Sequence, residues 1–502
     1  MNFEEIIKGL PVKVLKSSGD REISSVEFDS RKVKEGSLFI AVKGFTVDGH
    51  AFVKSAIEKG CSALLIDSKR DCLSTEELLS MTSGKDITIA EIEDTRHAMA
   101  FVASAFYGHP EAKLDCCGVT GTKGKTTTTF MIYSILKHAG RIPGLIGTVV
   151  NIVGDERSES HHTTPESVEL YSMIRDMADR DSDSLVMEVS SLGLKFDRVC
   201  GLRYKVACFT NLYEDHIGGN EHPDMEDYAD SKIRIFESAE NAVINLDGNI
   251  PERGIGKARS CPKVFTISLK EQADVTAADI KHETRDGRPG SVFKIKSPWY
   301  EGEVFVGLPG LFNVYNALFA ISVAGILGVA FEDVKGALGK VFVPGRVQPV
   351  PNKLGISVLV DYAHNAVALE SVIKAMREIC QGRIITLFGC GGNRAKSRRY
   401  EMGEVSGSLS DLTVITSDNP RDEDPMAIID DILTGMNKTD GEYITIPDRR
   451  EAIGEAIRRA KPGDIVLIAG KGHENYQIFG KETRHFDDAE EANKVIAELE
   501  GV

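Results

Sequence analysis

Apolar positions in the first 109 residues fall into short runs: LFIAV from Leu38, SALLI from Ser62 and ITIAEI from Ile87. Each is the length of a strand, and helix-like spacing fills the stretches between them. Residues 95–107 place apolar groups three and four apart, as in a helix with one face in a core. Gly108, His109 and Pro110 then form a turn signal that marks a boundary.

From Leu114 the runs become continuous. LDCCGVT leads into a glycine-rich segment and a helix to about residue 138. SLVMEVS from Ser184, YKVACFTN from Tyr204 and NAVINLD from Asn241 repeat the theme, each a buried strand ending in polar or glycine-rich sequence. Such strands alternating with helices predict a parallel α/β sheet, whose ligands sit at strand carboxyl ends. Residues 263–307 alternate instead (VFTISL, VFKIKS, EVFVGL), which predicts an antiparallel appendage. VPGR at 343–346 marks a second boundary, and VLVDYAH, RIITLFGC, LTVITSDN and DIVLIAGKG beyond it predict another α/β unit. The expected fold is α/β with three domains: residues 1–109, a central P-loop-type parallel-sheet domain over 110–343, and a C-terminal Rossmann-like domain over 344–502.

A length of 502 residues agrees with that division, at roughly 150 residues per domain. The formal charge of −16 disfavours nonspecific binding to nucleic acid or to a membrane surface, so any polyanion needs a local site. Nine cysteines with no CxxC spacing read as reduced thiols, neither disulfides nor a zinc motif. The segment MNFEEIIKGL lacks a basic leader, and no apolar stretch reaches the ~18 residues of a membrane span. The expectation is a soluble cytoplasmic protein, without nucleic-acid partners or membrane insertion.

GVTGTKGKTTTT from Gly118 carries the strongest chemistry. It follows an apolar strand and opens a helix, so backbone N–H groups and the helix dipole can face phosphate oxygens. Lys125 can reach the β- and γ-phosphates and Thr126 can bind Mg²⁺. The spacing departs from GxxxxGK[ST], and the bland alternative is a glycine-rich turn without a ligand. Read by themselves, Glu188 at the end of VMEV is either a metal ligand or a structural carboxylate, and His216 a satisfied polar residue. Lys232 reads as a surface-helix lysine, Arg346 as a hinge residue and Asp361 as a strand-end cap.

The form TGTxGKT resembles the Mur ligases and their folylpolyglutamate synthetase relatives. The resemblance implies ATP binding by Gly121, Thr122, Lys123, Gly124, Lys125, Thr126 and Thr127. It implies Mg²⁺ held through Thr126, Glu188, His216 and Lys232, the lysine as a carbamate. Lys125, Glu188, His216 and Lys232 are the implied catalytic set. Asn313 and Asn316 (LPGLFNVYNALFA), Arg346 and Asp361 would complete the nucleotide contacts.

Along its full length the chain looks most like the tripeptide-synthetase branch of that family. FDSRKVKEGSLFIAVKG would line a UDP site through Ser30 and Arg31, Thr163 and Thr164 would meet the muramoyl-peptide, and Ser190 and Arg198 the nucleotide sugar. SDNPR, with Asp418, Asn419, Pro420 and Arg421, is the motif associated with meso-diaminopimelate, and Arg394, Gly470 and Glu474 are the further contacts. A second carboxylate on the amino acid suits a guanidinium, and its ammonium suits Glu474. SSLGL replaces SSHAL, the segment before Lys232 is longer than usual, and DYAHNAV and GGNRAKSRR also differ from the common pattern. The implied enzyme is a monomeric ATP-dependent amide ligase acting on a UDP-muramoyl-dipeptide and a diamino acid through an acyl-phosphate. Addition of L-lysine or another diamino acid, a folate-type ligase and a non-catalytic nucleotide-binding paralogue stay open on sequence alone.

Overall fold

The computed structural model describes every residue except 20, 45, 46, 216, 219, 220, 286, 287 and 502. The chain forms two compact units. One comprises Met1–Thr276 with Phe319–Ala330, the other Ala277–Leu318 with Phe331–Val502.

The first unit holds two sheets. Its N-terminal sheet orders Lys13–Lys16, Thr88–Ile92, Ala63–Asp67, Ser37–Ile40 and Ser25–Glu27 side by side, parallel except for the first pair. Leu38, Ile40 and Leu65 point to one core, Phe39, Leu64 and Ile66 to another. Helix α1 (Thr95–Phe106) is started by Asp94, whose carboxylate accepts from the His97 N–H, and it buries Ala98, Met99 and Val102.

The second sheet is built on strand β1 (Asp115–Thr120), helix α2 (Lys125–His138), strand β2 (Ser184–Glu188), helix α3 (Ser191–Lys195), strand β3 (Tyr204–Phe209) and helix α4 (Met225–Ile233). β1 lies between β2 and β3, parallel to both, with Val119 beside Glu188 and beside Cys208. Every residue of β2 is buried, as covered faces on both sides require. Each such Leu or Val contributes about 1.5–3 kcal/mol. Because β1 precedes β2 and β3 in the chain and lies between them in the sheet, the three strand ends meet at a topological switch point.

The segment Lys263–Ser268, expected in an antiparallel appendage, instead extends this sheet in parallel beside Ala239–Asn245. Its ladder partner decided the matter, not its own alternation. Arg288–Lys296 and Glu301–Val306, in the second unit, do pair antiparallel.

The second unit also holds a six-stranded sheet. Strands β4 (Ser357–Asp361), β5 (Ile384–Phe388), β6 (Leu412–Ile415) and β7 (Ile465–Ala469) run parallel, with β7 between β4 and β5. Leu359, Phe388 and Leu467 fill the core on one face, Val360, Leu387 and Ile468 that on the other. Among the described residues no helix is long and apolar enough to cross a membrane.

Beneath the loops of this sheet sits a fully buried ion pair. Arg449, opening helix α5 (Arg449–Arg459), donates from Nε and Nη2 to both oxygens of Asp488, each at 2.7 Å. Asp488 opens helix α6 (Asp488–Glu500). The same guanidinium donates to Ser417 O, just beyond β6, and to Ala469 O, at the end of β7. Removing one partner leaves the other charge buried and unpaired. Arg449→Met should therefore destabilise the protein by about 3–5 kcal/mol in urea unfolding; a loss under about 1 kcal/mol would show the pair to be dispensable.

Candidate active site

The residues after β1 turn sharply at Gly121, whose φ is 141°. A Cβ there would lie 1.9 Å from Thr210 Oγ1, so only glycine fits. Thr210 in turn donates to Lys123 O, and Asn211 both accepts from Lys123 N and donates to Lys123 O. The end of β3 thus moulds the loop. Gly124 caps α2 in the left-handed region, and Thr126 and Thr127 begin the helix buried.

Glu188, 1% exposed, ends β2 beside this loop. Its carboxylate accepts from Thr126 Oγ1 at 3.0 Å, Thr148 N at 2.8 Å and Thr148 Oγ1 at 3.1 Å. A Cβ at Gly147 would meet Glu188 Oε1 at 2.5 Å, so the close approach of that segment also requires glycine. Among the described residues these neutral donors are its partners. A carboxylate and a hydroxyl at the mouth of a phosphate loop form the hard-oxygen set that Mg²⁺ prefers, and the donor chemistry fits that ion.

Lys232 corrects the surface-helix reading. It is 1% exposed, because α4 folds its last turn under the loop. Its Nζ donates to Gly121 O at 3.0 Å and lies 4.5 Å from the centre of the Tyr228 ring. Lys125 Nζ donates to the same carbonyl at 2.8 Å. Burial first, and then the Lys125 charge, hold the Lys232 amine well below its ordinary value. His216 lies outside the described residues.

The residues expected at the muramoyl-peptide and at the nucleotide sugar share one network. Thr164 Oγ1 donates to Glu188 O and accepts from Ser190 N, Thr163 Oγ1 is 3.0 Å from Thr148 Oγ1, and Ser190 caps α3. Arg198 donates to Thr164 O and pairs with Glu166 at 2.8 Å, a carboxylate shared with Arg96. Ser30 and Arg31 lie on a separate loop, where the exposed Arg31 grips Asp29 and holds its carboxyl down to about 2. Lys32, next along, reaches Glu169 on the helix that follows HTTPE.

Sequence reasoning missed several neighbours. Lys123 pairs with Asp215 at 2.9 Å, and Tyr228 donates its hydroxyl hydrogen to Thr122 Oγ1. Buried His222 joins Asp227 through Nδ1 at 2.6 Å and Ser191 through Nε2 at 2.9 Å, and burial pulls it below its ordinary value. Only the spacing of Asp and His in EHPDMED hinted at that pair.

The second unit gathers another polar set at its strand ends. Asp361 ends β4 and accepts from Val347 N and Ala363 N at 2.7 and 2.9 Å, while burial raises its carboxyl. Arg346 lies over the Tyr362 ring at 4.8 Å. Asn316 donates to Asn313 Oδ1, and Asn313 to Pro309 O, both side chains buried. Asn419 donates to Glu474 Oε2 at 3.0 Å, and burial raises the Glu474 carboxyl. Lys471, fully buried and absent from the expected set, stands 3.4 Å from both Asn419 Oδ1 and Glu474 Oε2. Asp418 O accepts from Gln477, and Asp418 Oδ2 faces Gly470. Pro420 packs its carbonyl against Gly392, and Arg421 Nη1 donates to Gly392 O at 2.7 Å. Arg421 and the exposed Arg394 both flank Gly391. Beside them His473 is pushed down to about 4, by burial first and then by Arg346.

Comparison with known proteins follows this geometry. Residues 22–107 match the Mur ligase family catalytic domain, 119–324 the Mur ligase middle domain and 345–472 the Mur ligase glutamate ligase domain. The chain is 40% identical to the UDP-N-acetylmuramoyl-L-alanyl-D-glutamate–2,6-diaminopimelate ligase of Clostridium botulinum, over 99% of this chain and 100% of the relative. It is 42% identical to the ligase of the same name from Clostridioides difficile, again over 99% and 100%. A solved structure of such a ligase superposes with a TM-score of 0.72 at 29% identity, covering 100% of this chain and 99% of the other. End-to-end likeness of this degree, on a fold whose strand ends carry the phosphate loop and its carboxylate, shows that the chain belongs to the Mur ligase family.

Proposed function

We propose that this chain is an ATP-dependent amide ligase that adds meso-diaminopimelate to UDP-N-acetylmuramoyl-L-alanyl-D-glutamate, building a peptidoglycan precursor in the cytoplasm as a monomer. The observation that carries this reading is the full-length identity of about 40% to ligases of that name. Residues 1–109 bind the UDP-sugar, 110–343 the ATP phosphates, and 344–502 the amino acid.

ATP lies along Gly121, Thr122, Lys123, Gly124, Lys125, Thr126 and Thr127, with Asn313 and Asn316 toward the adenine, Asp361 on the ribose and Arg346 on phosphate. Thr126, Glu188, His216 and carbamylated Lys232 would hold Mg²⁺, which would supply positive charge against the charge developing on the phosphates. Ser30, Arg31, Thr163, Thr164, Ser190 and Arg198 hold the acceptor so that its free carboxylate faces the γ-phosphate. That carboxylate attacks phosphorus, the bond to ADP breaks, and Lys125 steadies the charge spreading over the phosphoryl oxygens. The diaminopimelate amine then attacks the acyl carbon, phosphate leaves, and the amine proton passes to solvent. Arg394 and Arg421 take the distal carboxylate of the amino acid, Glu474 its ammonium, and Asp418, Asn419, Pro420 and Gly470 shape the pocket.

Lys232 supplies its own carboxylate. Its neutral amine adds to CO₂, a new N–C bond forms and one proton is lost, which leaves a carbamate. Burial and the depressed proton affinity of the amine support this step. Protein equilibrated with ¹³C-bicarbonate should show one carbamate carbonyl resonance that disappears in Lys232→Arg. A wild-type spectrum without it would remove Lys232 from the metal set.

Phosphate release from ATP, with the UDP-muramoyl-dipeptide present, should occur with meso-diaminopimelate and not with LL-diaminopimelate, lysine or ornithine. Release with lysine alone would overturn the amino-acid assignment while keeping the ligase. Arg421→Ala should raise the KM for diaminopimelate by the equivalent of about 1.5–3 kcal/mol, the worth of a hydrogen bond to a charged group. An unchanged KM would place the carboxylate elsewhere.

A further inference from the structure

Helix α1 and the turn after α3 bring together three side chains that the site above does not use. His97 Nδ1 lies 3.1 Å from Asp197 Oδ2 and 3.6 Å from Cys200 Sγ, and all three atoms fall within 4.8 Å of one another. Both contacts converge on the same ring nitrogen. One Nδ1 offers either a hydrogen or a lone pair, so it cannot serve a carboxylate acceptor and a thiol donor together. A Cys-His-Asp relay would need both ring nitrogens and is excluded. What the three atoms do share is a common centre.

The His97–Asp197 and His97–Cys200 separations fit a small tetrahedral cation. Zinc bonds of about 2.0–2.1 Å to nitrogen and oxygen and about 2.3 Å to sulfur give tetrahedral edges of about 3.3 Å for N–O and about 3.6 Å for N–S. The other oxygen of Asp197 accepts from Arg234 Nη2 at 2.5 Å, and Arg234 Nη1 donates to Leu194 O at 2.7 Å. That arrangement orients a ligating carboxylate from behind. His97 and Asp197 both line a cavity of about 1380 Å³, which leaves a fourth position open. A nitrogen, a sulfur and one carboxylate are a softer set than Thr126 and Glu188, and suit zinc over magnesium.

We propose that His97, Asp197 and Cys200 form a zinc site that fastens α1, beside the N-terminal sheet, to the α3 turn of the central sheet. Cys200 releases its thiol proton to solvent as the metal–sulfur bond forms. Thiolate and carboxylate together then balance the dication. Three ligands and one open position make this an exchangeable site, which solvent or a ligand atom in the cavity completes.

The test uses the full-length protein, stripped with a chelator, kept in excess Mg²⁺ and titrated with Co²⁺ as the probe. One equivalent should bind, giving a sulfur-to-cobalt charge-transfer band and the strong visible bands of tetrahedral cobalt. Cys200→Ser should abolish the charge-transfer band, and Cys72→Ser, at an exposed cysteine elsewhere, should leave it unchanged. His97 is about half exposed, so His97→Gln should fold and weaken Co²⁺ binding by at least about tenfold. No band in the wild type, a band that survives Cys200→Ser, or unchanged affinity in His97→Gln would overturn the proposal.

Discussion

The catalytic half of this molecule depends on keeping one carboxylate buried. Glu188 stands at the end of a strand covered on both faces, where an unsupported charge would be costly. Two threonines and a backbone amide meet that cost. Each donor fixes a different piece of chain: Thr126 the start of α2, Thr148 the segment after Pro143–Ile146. Through Thr164 and Ser190 the same strand end reaches the start of α3. The phosphate loop and the residues proposed to contact the acceptor are thus tied to one buried group.

A second constraint lies opposite. Gly121 O accepts from Lys125 and Lys232, two amines that repel one another as cations. Burial settles the conflict by lowering the proton affinity of Lys232.

Much of this was legible in the sequence. Continuous apolar runs marked β1, β2 and β3, and the polar residues after each do lie at one end of one sheet. What escaped was whatever depends on distant chain. Lys232 sits among charged residues in MEDYADSK, and only the path of the loop above it makes it buried. Lys123–Asp215 and His222–Ser191 join segments 92 and 31 residues apart. The segment Lys263–Ser268 alternates like an antiparallel strand yet pairs in parallel, because the open edge beside Ala239–Asn245 was its partner. In the second unit, Lys471 lies at the polar end of the run DIVLIAGKG, where nothing local singles it out, although it is fully buried beside Glu474.

The pairing of Arg449 with Asp488 bears on where this protein tolerates being cut or joined. Helix α6 carries none of the proposed site residues, and by position alone it looks expendable. Yet its first residue is the carboxylate hydrogen-bonded to a guanidinium that also holds the chain after β6 and the end of β7. Those two stretches of chain lead into the loops that bear Asp418 and Gly470. Trimming before Asp488, or fusing a second protein there, would therefore disturb the loops proposed to hold the amino acid.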